Sequence, residues 1–276
     1  MTGGILALLA IGMALQIGVA RMINFAHTAF YMLAAYVIYS LAVVYGLNLC
    51  LSAAISVMVT LVIGVVFYWL GIRPIKEHAR SLLVMTVAIA LMIQESIVLI
   101  IGSDYVSTPS FLPGYITLFG VRILRQTLLT FGISLGILLL VWMFITRTKT
   151  GKTIRATAQD AEMASLLGVN VERVNLTVMV ISLALAAIAG IIIAPLLLID
   201  ETMWERILLS LMAINVIGGL GNIKGSIIGA FILGYVETMV VFLMPMGAYL
   251  RGAFAMAVML IVLTVKPEGL FGIRVE

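Results

Sequence analysis

Thr150-Gly151-Lys152-Thr153 ends the way a phosphate-binding P-loop ends, and it is the first place in this sequence where residue types suggest chemistry. The full pattern needs a glycine five residues before Gly151, where Thr146 stands, and a strand where an apolar run stands. No nucleotide site is expected here, so any work the protein performs draws on an ion gradient, passive flow or a separate ATPase. Glu95 beside Gln94, and Glu237, lie near the middles of apolar runs. An ionisable group there costs on the order of 3 kcal/mol and faces a cavity or a partner. Gln16, Asn24, His27, Asn215 and Asn222 are milder polar interruptions. The candidate pathway or gate residues are therefore Asn24, His27, Gln94, Glu95, Asn215, Asn222 and Glu237, with hydrogen-bonded helix-to-helix contacts as the alternative role. His27 has no second His or carboxylate at ligand spacing, so no metal is expected. There is no G-x-S-x-G and no His-Glu-x-x-His, so no catalytic residue and no enzyme activity are expected.

The elements that must position these residues are membrane helices. Hydrophobic residues make up 63% and charged residues 10% of the chain, against roughly 25% charged in soluble domains. The mean hydropathy is +1.25. The net charge of +4 sits in short interhelical loops, where topology rather than nucleic acid accounts for it. The single cysteine, Cys50, excludes an internal disulfide and a Cys-based zinc site. No cleavable signal peptide is expected, because no basic stretch precedes the first apolar run.

A membrane span needs about 20 apolar residues. By that measure the runs cover 3–20, 25–45, 51–71, 81–101, 124–145, 174–199, 207–220, 227–243 and 252–265. The fold class is all-α, a polytopic transmembrane helical bundle of eight to nine segments, some broken or re-entrant, in one domain over 1–276. The runs are continuous rather than alternating, which favours helices over a barrel. Basic loops at 73–80 and 147–173 are expected in the cytoplasm, and the loop 102–120, which has no Lys or Arg, outside. That parity puts the N-terminus outside and the tail 266–276 inside, with Arg122, Arg125 and Arg206 as external exceptions. Trp69, Trp142 and Trp204 are expected in interfacial belts. The breaks at 22–27 and 218–226 interrupt apolar runs in the two halves, as in repeated transporters whose pathway lies between the halves.

The longest hydrophilic segment, 147–173, reads as folded. Thr157 and Asp160 have near capping-box spacing, Ala161 to Leu167 are mostly helix formers, and Gly168 is placed for a left-handed stop. Asn170 is placed to cap the following helix. Met163, Leu166 and Leu167 on a short helix suit insertion into a groove on a soluble protein.

Four stretches resemble the membrane permeases of ATP-binding cassette importers for branched-chain amino acids. They are Arg21-Met22-Ile23-Asn24-Phe25-Ala26-His27, the segment from Arg155-Ala156-Thr157-Ala158-Gln159-Asp160 through Leu167-Gly168-Val169-Asn170-Val171-Glu172-Arg173-Val174, Gly218-Gly219-Leu220-Gly221-Asn222-Ile223-Lys224-Gly225, and Lys266-Pro267-Glu268-Gly269-Leu270-Phe271-Gly272. The resemblance covers about 5–272. Thr28 stands where that family usually has Gly, and the chain begins closer to the first motif than is usual.

The resemblance implies a multi-pass inner-membrane subunit that binds no cofactor of its own. Two cytoplasmic ATPase subunits would use ATP, joined by a second homologous permease subunit and an extracytoplasmic substrate-binding protein. It also implies that the segment bearing Arg155, Thr157, Asp160, Glu162, Met163, Ala164, Leu166, Leu167 and Gly168 docks in the ATPase cleft. The expected activity is translocation of branched-chain, hydrophobic amino acids by alternating access. Urea or short amides in the same family are alternative cargoes. An ion-coupled carrier using Glu95 or Glu237, or a passive channel, are alternative mechanisms.

Overall fold

Large apolar side chains such as Leu99, Ile100, Leu139 and Leu140 turn outward along the helices, the pattern expected where helices satisfy their own backbone groups and face lipid. The computed structural model describes residues 1–271 apart from Glu77, Phe119 and Pro245. The last motif residue, Gly272, and the tail beyond it lie outside the described residues.

Among the described residues nine long helices follow the apolar runs: α1 (Thr2–Gly18), α2 (Ala26–Tyr39), α3 (Leu49–Phe67), α4 (Ala79–Ile101), α5 (Arg125–Arg147), α8 (Val171–Ile193), α9 (Met203–Gly218), α10 (Ile223–Leu243) and α11 (Gly247–Val265). Two short helices, α6 (Lys149–Gln159) and α7 (Ala161–Leu166), sit between α5 and α8. Among the described residues six helical stretches are long and apolar enough to cross a membrane: Ala26–Val44, Leu49–Ile75, Ala79–Ile101, Arg125–Arg147, Val171–Ile193 and Ile223–Leu243. Two features differ from the sequence expectation. The loop after α4 carries an antiparallel hairpin, β1 (Tyr115–Leu118) with β2 (Val121–Leu124), in the register Tyr115 to Leu124. The last helix also starts at Gly247 rather than near 252, which brings Arg251 onto it.

The core is built around α1, whose residues from Gly3 to Gln16 are all buried. It packs chiefly on α10 and α8, and α2 packs chiefly on α8. Small and hydroxyl residues set these contacts, as expected where apolar transfer gives no drive between helices. On α3, the four-residue stripe Ser52, Ser56, Thr60 and Gly64 faces inward. Ser56 Oγ donates to the Ala34 carbonyl at 2.7 Å. On α5, Gln126, Thr130 and Ser134 form the equivalent stripe, and Thr130 Oγ1 donates to the Ile192 carbonyl at 3.2 Å. Residues such as Met58, Val62, Leu139 and Leu140 point outward.

The ends sort cleanly. At one end Val106 and Ile199 pair through their backbones, joining the α4–α5 connection to the α8–α9 connection. At the other, Arg73 forms an ion pair with Glu172 while its guanidinium lies 4.0 Å above the Trp69 ring. Two arginines that looked misplaced at the first end have local partners. Arg206 pairs with Asp200, and Arg122 stacks over Tyr115 at 5.1 Å. Trp69 and Trp142 are exposed as a belt requires, but Trp204 is 4% exposed and its indole N–H donates to Gln94 Oε1 at 2.6 Å. Trp204 therefore locks α9 to α4 instead of sitting in an interfacial belt.

Glycine is required where backbones touch. A Cβ on Gly190 would lie 2.1 Å from the Tyr31 carbonyl oxygen, whereas one on Gly132 would meet nothing within 4 Å. Gly190→Ala is expected to destabilise the purified protein by about 1–3 kcal/mol through overpacking. Gly132→Ala should be neutral or slightly stabilising, because Ala is the better helix former. Thermal unfolding of both variants in detergent checks the contrast, and equal effects would show that α2 and α8 do not meet at Gly190.

Candidate functional site

The hydrophilic segment folds as two helices joined at Asp160. Thr148 caps α6 by accepting the Gly151 N–H at 2.9 Å. A Cβ at Gly151 would fall 2.4 Å from the Phe144 and Ile145 carbonyl oxygens. Gly151-Lys152-Thr153 therefore lies in a helix whose glycine permits a tight turn off α5. Asp160 caps α7, its Oδ1 accepting the N–H groups of Glu162 and Met163 at 3.0 Å each. The capping is thus Asp160 to α7 and not Thr157 to Asp160, and Thr157 ends buried in the last turn of α6. At the other end Gly168 adopts φ +86°. Its N–H donates to the Ser165 carbonyl and that of Val169 to the Ala164 carbonyl, both at 3.0 Å, the paired bonds of a Schellman stop. Asn170 Oδ1 then accepts the Arg173 N–H at 2.9 Å and opens α8.

This fixes which side chains of the segment are free. Met163 is 54%, Leu166 75% and Leu167 79% exposed. Arg155, Asp160, Glu162 and Gly168 surround them at the surface. Ala164 and Thr157 are buried, so they hold the segment's shape and are turned away from solvent. The result is a rigid apolar knob of three side chains with charged flanks at the end of the molecule that carries the Arg73–Glu172 pair.

A second assembly lies where α1, α2 and α8 cross. His27 Nε2 is 3.1 Å from the Leu9 carbonyl oxygen, and Ser182 Oγ donates to the Gly12 carbonyl at 2.7 Å. A Cβ on Gly12 would strike the His27 ring at 2.7 Å. Asn24 Oδ1 accepts the Ala26 N–H at 3.0 Å, and its amide lies 3.9 Å from Met179 Sδ. Gln16 is one turn beyond Gly12 and so faces α8 one turn before Ser182, the level of Met179. Both amide atoms of Gln16, Nδ1 of His27 and Oδ1 of Asn175 are buried without a hydrogen-bond partner among the described residues. Unpaired buried polar groups cost about 1–3 kcal/mol each, so this cluster is a reservoir of unmet hydrogen bonds. Asn175 escaped sequence reading because a single Asn near a helix start looks like a surface residue.

The remaining candidates are dispersed. Asn215 Nδ2 donates to the Leu211 carbonyl, and its Oδ1 accepts the Ser226 hydroxyl at 3.0 Å, tying α9 to α10. Glu237 Oε1 accepts the Ser210 hydroxyl at 2.7 Å between the same two helices. Gln94 is occupied by Trp204, while Glu95 is exposed on the outer side of α4, away from the other candidates. Asn222 caps α10 by accepting the Gly225 N–H at 3.0 Å and donates to the Phe271 carbonyl at 2.8 Å.

That last contact belongs to a junction of three sequence motifs. A Cβ on Gly18 would sit 2.5 Å from the Gly221 carbonyl oxygen, so the end of α1 rests on the α9–α10 turn. Leu270 and Phe271 donate their N–H groups to the carbonyls of Ile217 and Gly218. The break after α1, the break between α9 and α10 and the C-terminal stretch thus meet at the end of the bundle that carries the hydrophilic segment.

Residues 1–263 match the model of the family described as branched-chain amino acid transport system / permease component. The chain belongs to this family. This permease is 29% identical over 211 residues to the high-affinity branched-chain amino acid transport system permease protein LivH of Escherichia coli, covering 72% of this chain and 67% of that relative. It is 28% identical over 226 residues to the corresponding protein BraD of Pseudomonas aeruginosa, covering 79% and 73%. Among solved structures, PsaBC from Streptococcus pneumoniae in complex with Fab matches with a TM-score of 0.58 at 13% identity, over 98% of this chain and 91% of that one. That likeness concerns the fold alone.

The unmet hydrogen bonds of Gln16 separate a structural from a working role. Gln16→Met is expected to stabilise the purified permease by about 1–3 kcal/mol, since it removes an unpaired buried amide, and to slow transport in proteoliposomes. Unchanged stability would mean that the amide finds partners in the working protein.

Proposed function

We propose that this chain is the membrane-spanning subunit of an ATP-binding cassette importer that moves branched-chain amino acids. The family match over residues 1–263 supports the class. The observation that carries the mechanism is the exposed knob of Met163, Leu166 and Leu167, held by the Asp160 cap and the Gly168 stop. A short helix so fixed at both ends transmits a push instead of absorbing it. Two cytoplasmic ATPase subunits would grip this knob, a second permease subunit would complete the pathway, and an extracytoplasmic binding protein would deliver the amino acid. ATP-driven closure of the ATPases would displace α6 and α7. The helices α5 and α8, which flank them in sequence, would carry that movement to a gate.

In this reading the Arg73–Glu172 end and the knob face the cytoplasm, and the Val106–Ile199 end faces outward. Nine segments would then enter the bilayer, with the N-terminus outside and the C-terminus inside. The shorter α1 spans about 25 Å and lies shielded within the bundle.

Leu166→Asp and Leu167→Asp are expected to abolish both co-purification of the ATPase subunits and ATP-dependent uptake, while the permease stays folded by size-exclusion profile. These positions test docking more cleanly than Ala164, whose replacement would disturb the segment itself. Normal uptake by the double variant would falsify the docking assignment. Glu95→Gln is expected to leave uptake unchanged at fixed ATP, because ATP rather than a carried proton supplies the energy. Collapse of uptake in that variant, or on adding a proton ionophore at constant ATP, would instead favour ion coupling.

A further inference from the structure

A small pocket of about 220 Å³ opens at the outward end between α1, α10 and α11, lined by Thr2, Glu237, Thr238, Val241, Phe242 and Arg251. It holds one acid and one base. Glu237 is 4% exposed, with only one of its carboxylate oxygens bonded to Ser210. The Arg251 Nε is buried with no hydrogen-bond partner among the described residues. Arg73 pairs with Glu172 and Arg206 with Asp200, and among the described residues no ion pair joins Glu237 to Arg251. A carboxyl group and a guanidinium group thus line one cavity without an ion pair between them.

Such an arrangement is costly in a bilayer. Carboxylate and guanidinium groups inside membrane segments face water or a polar partner rather than lipid tails. A ligand carrying an ammonium and a carboxylate a few ångströms apart would satisfy both groups at once, the ammonium on Glu237 and the carboxylate held by Arg251 in charge-assisted hydrogen bonds. The remaining wall supplies Val241 and Phe242, which suit an aliphatic side chain. Size agrees, since a cavity of about 150 Å³ takes up a six-carbon ring and this one is moderately larger.

We infer that the pocket between Glu237 and Arg251 is an entry subsite for a zwitterionic, aliphatic amino acid on the outward side of the permease. This rests on the importer reading above and names where its cargo is first recognised by charge. The shared chemistry, an ammonium beside an anion, also occurs in an ethanolamine phospholipid headgroup, so the test separates the two.

The complete importer, with its ATPases, partner permease and binding protein, is reconstituted in phosphatidylcholine liposomes. Cys50 is replaced by Ser and a probe is introduced as Val241→Cys. Leucine is expected to slow modification of the probe by a methanethiosulfonate reagent, whereas leucinamide and 4-methylpentanoate, each lacking one charge, are not. Glu237→Gln keeps an acceptor for Ser210 yet should raise the leucine concentration needed for protection by about thirtyfold or more, the low end for removing one partner of a desolvated charge pair. Arg251→Gln should do the same and Arg251→Lys should restore part of the protection. Absence of protection by leucine, equal protection by leucinamide, or protection seen only when phosphatidylethanolamine is added would each overturn the subsite.

ATP-dependent uptake of labelled leucine by the Cys50→Ser importer runs alongside. Uptake without protection removes the subsite and leaves the importer standing. An importer that hydrolyses ATP yet takes up no branched-chain amino acid removes the cargo assignment and the subsite with it.

Discussion

The structure depends on backbone meeting backbone at glycine. Where α1 ends on the α9–α10 turn, Gly18 and Gly221 touch. Within that turn Gly218 and Gly225 approach so closely that a Cβ on Gly225 would lie 1.9 Å from the Gly218 carbonyl oxygen. Helices in lipid gain little from hiding apolar side chains, so close van der Waals contact and hydroxyl-to-carbonyl bonds must hold them together. The same contacts let the C-terminal stretch reach the exposed carbonyls of Ile217 and Gly218, so this junction joins parts of the chain far apart in sequence.

A rigid junction of this kind has mechanical meaning beside the hydrophilic segment of α6 and α7. The segment is stiffened by local hydrogen bonds, and the bundle is stiffened by glycine contacts. The softer elements lie between. The α1–α2–α8 crossing holds buried amides and an imidazole with unmet hydrogen bonds, so a second arrangement of these helices that pairs them need not lie far above the first in free energy. Switching systems need such bistability, and close-packed cores without polar frustration lack it.

Much of this was legible in the sequence because membrane helices announce themselves by continuous apolarity. The extents of the apolar runs, the left-handed Gly168 and the Asn170 cap followed from composition and local rules. What escaped depended on contacts between distant residues. Trp204 looked interfacial until Gln94 was found opposite it. Ala164 and Thr157 looked available until their burial was known. The lone charge of Arg251 ends the apolar run at 252 in the sequence, although the helix continues through it to Gly247. The Ser52, Ser56, Thr60 and Gly64 stripe did carry a signal, a four-residue period of small residues against large ones. It inverts the soluble rule, and a search for apolar faces passes over it.

The burial of α1 also constrains how the protein is made. Its principal neighbours, α8 and α10, begin at Val171 and Ile223. Synthesis at about 5–20 residues per second separates α1 from α10 by roughly 10–40 s. During that interval the helix destined for the centre has only lipid, the insertion machinery or the early helices for company. Its side chains are nearly all apolar, and Gln16, its buried polar residue, sits at its trailing end. The centre of the bundle is thus assembled late around a strand of chain made early, and a helix able to wait in lipid is a condition of biogenesis as much as of architecture.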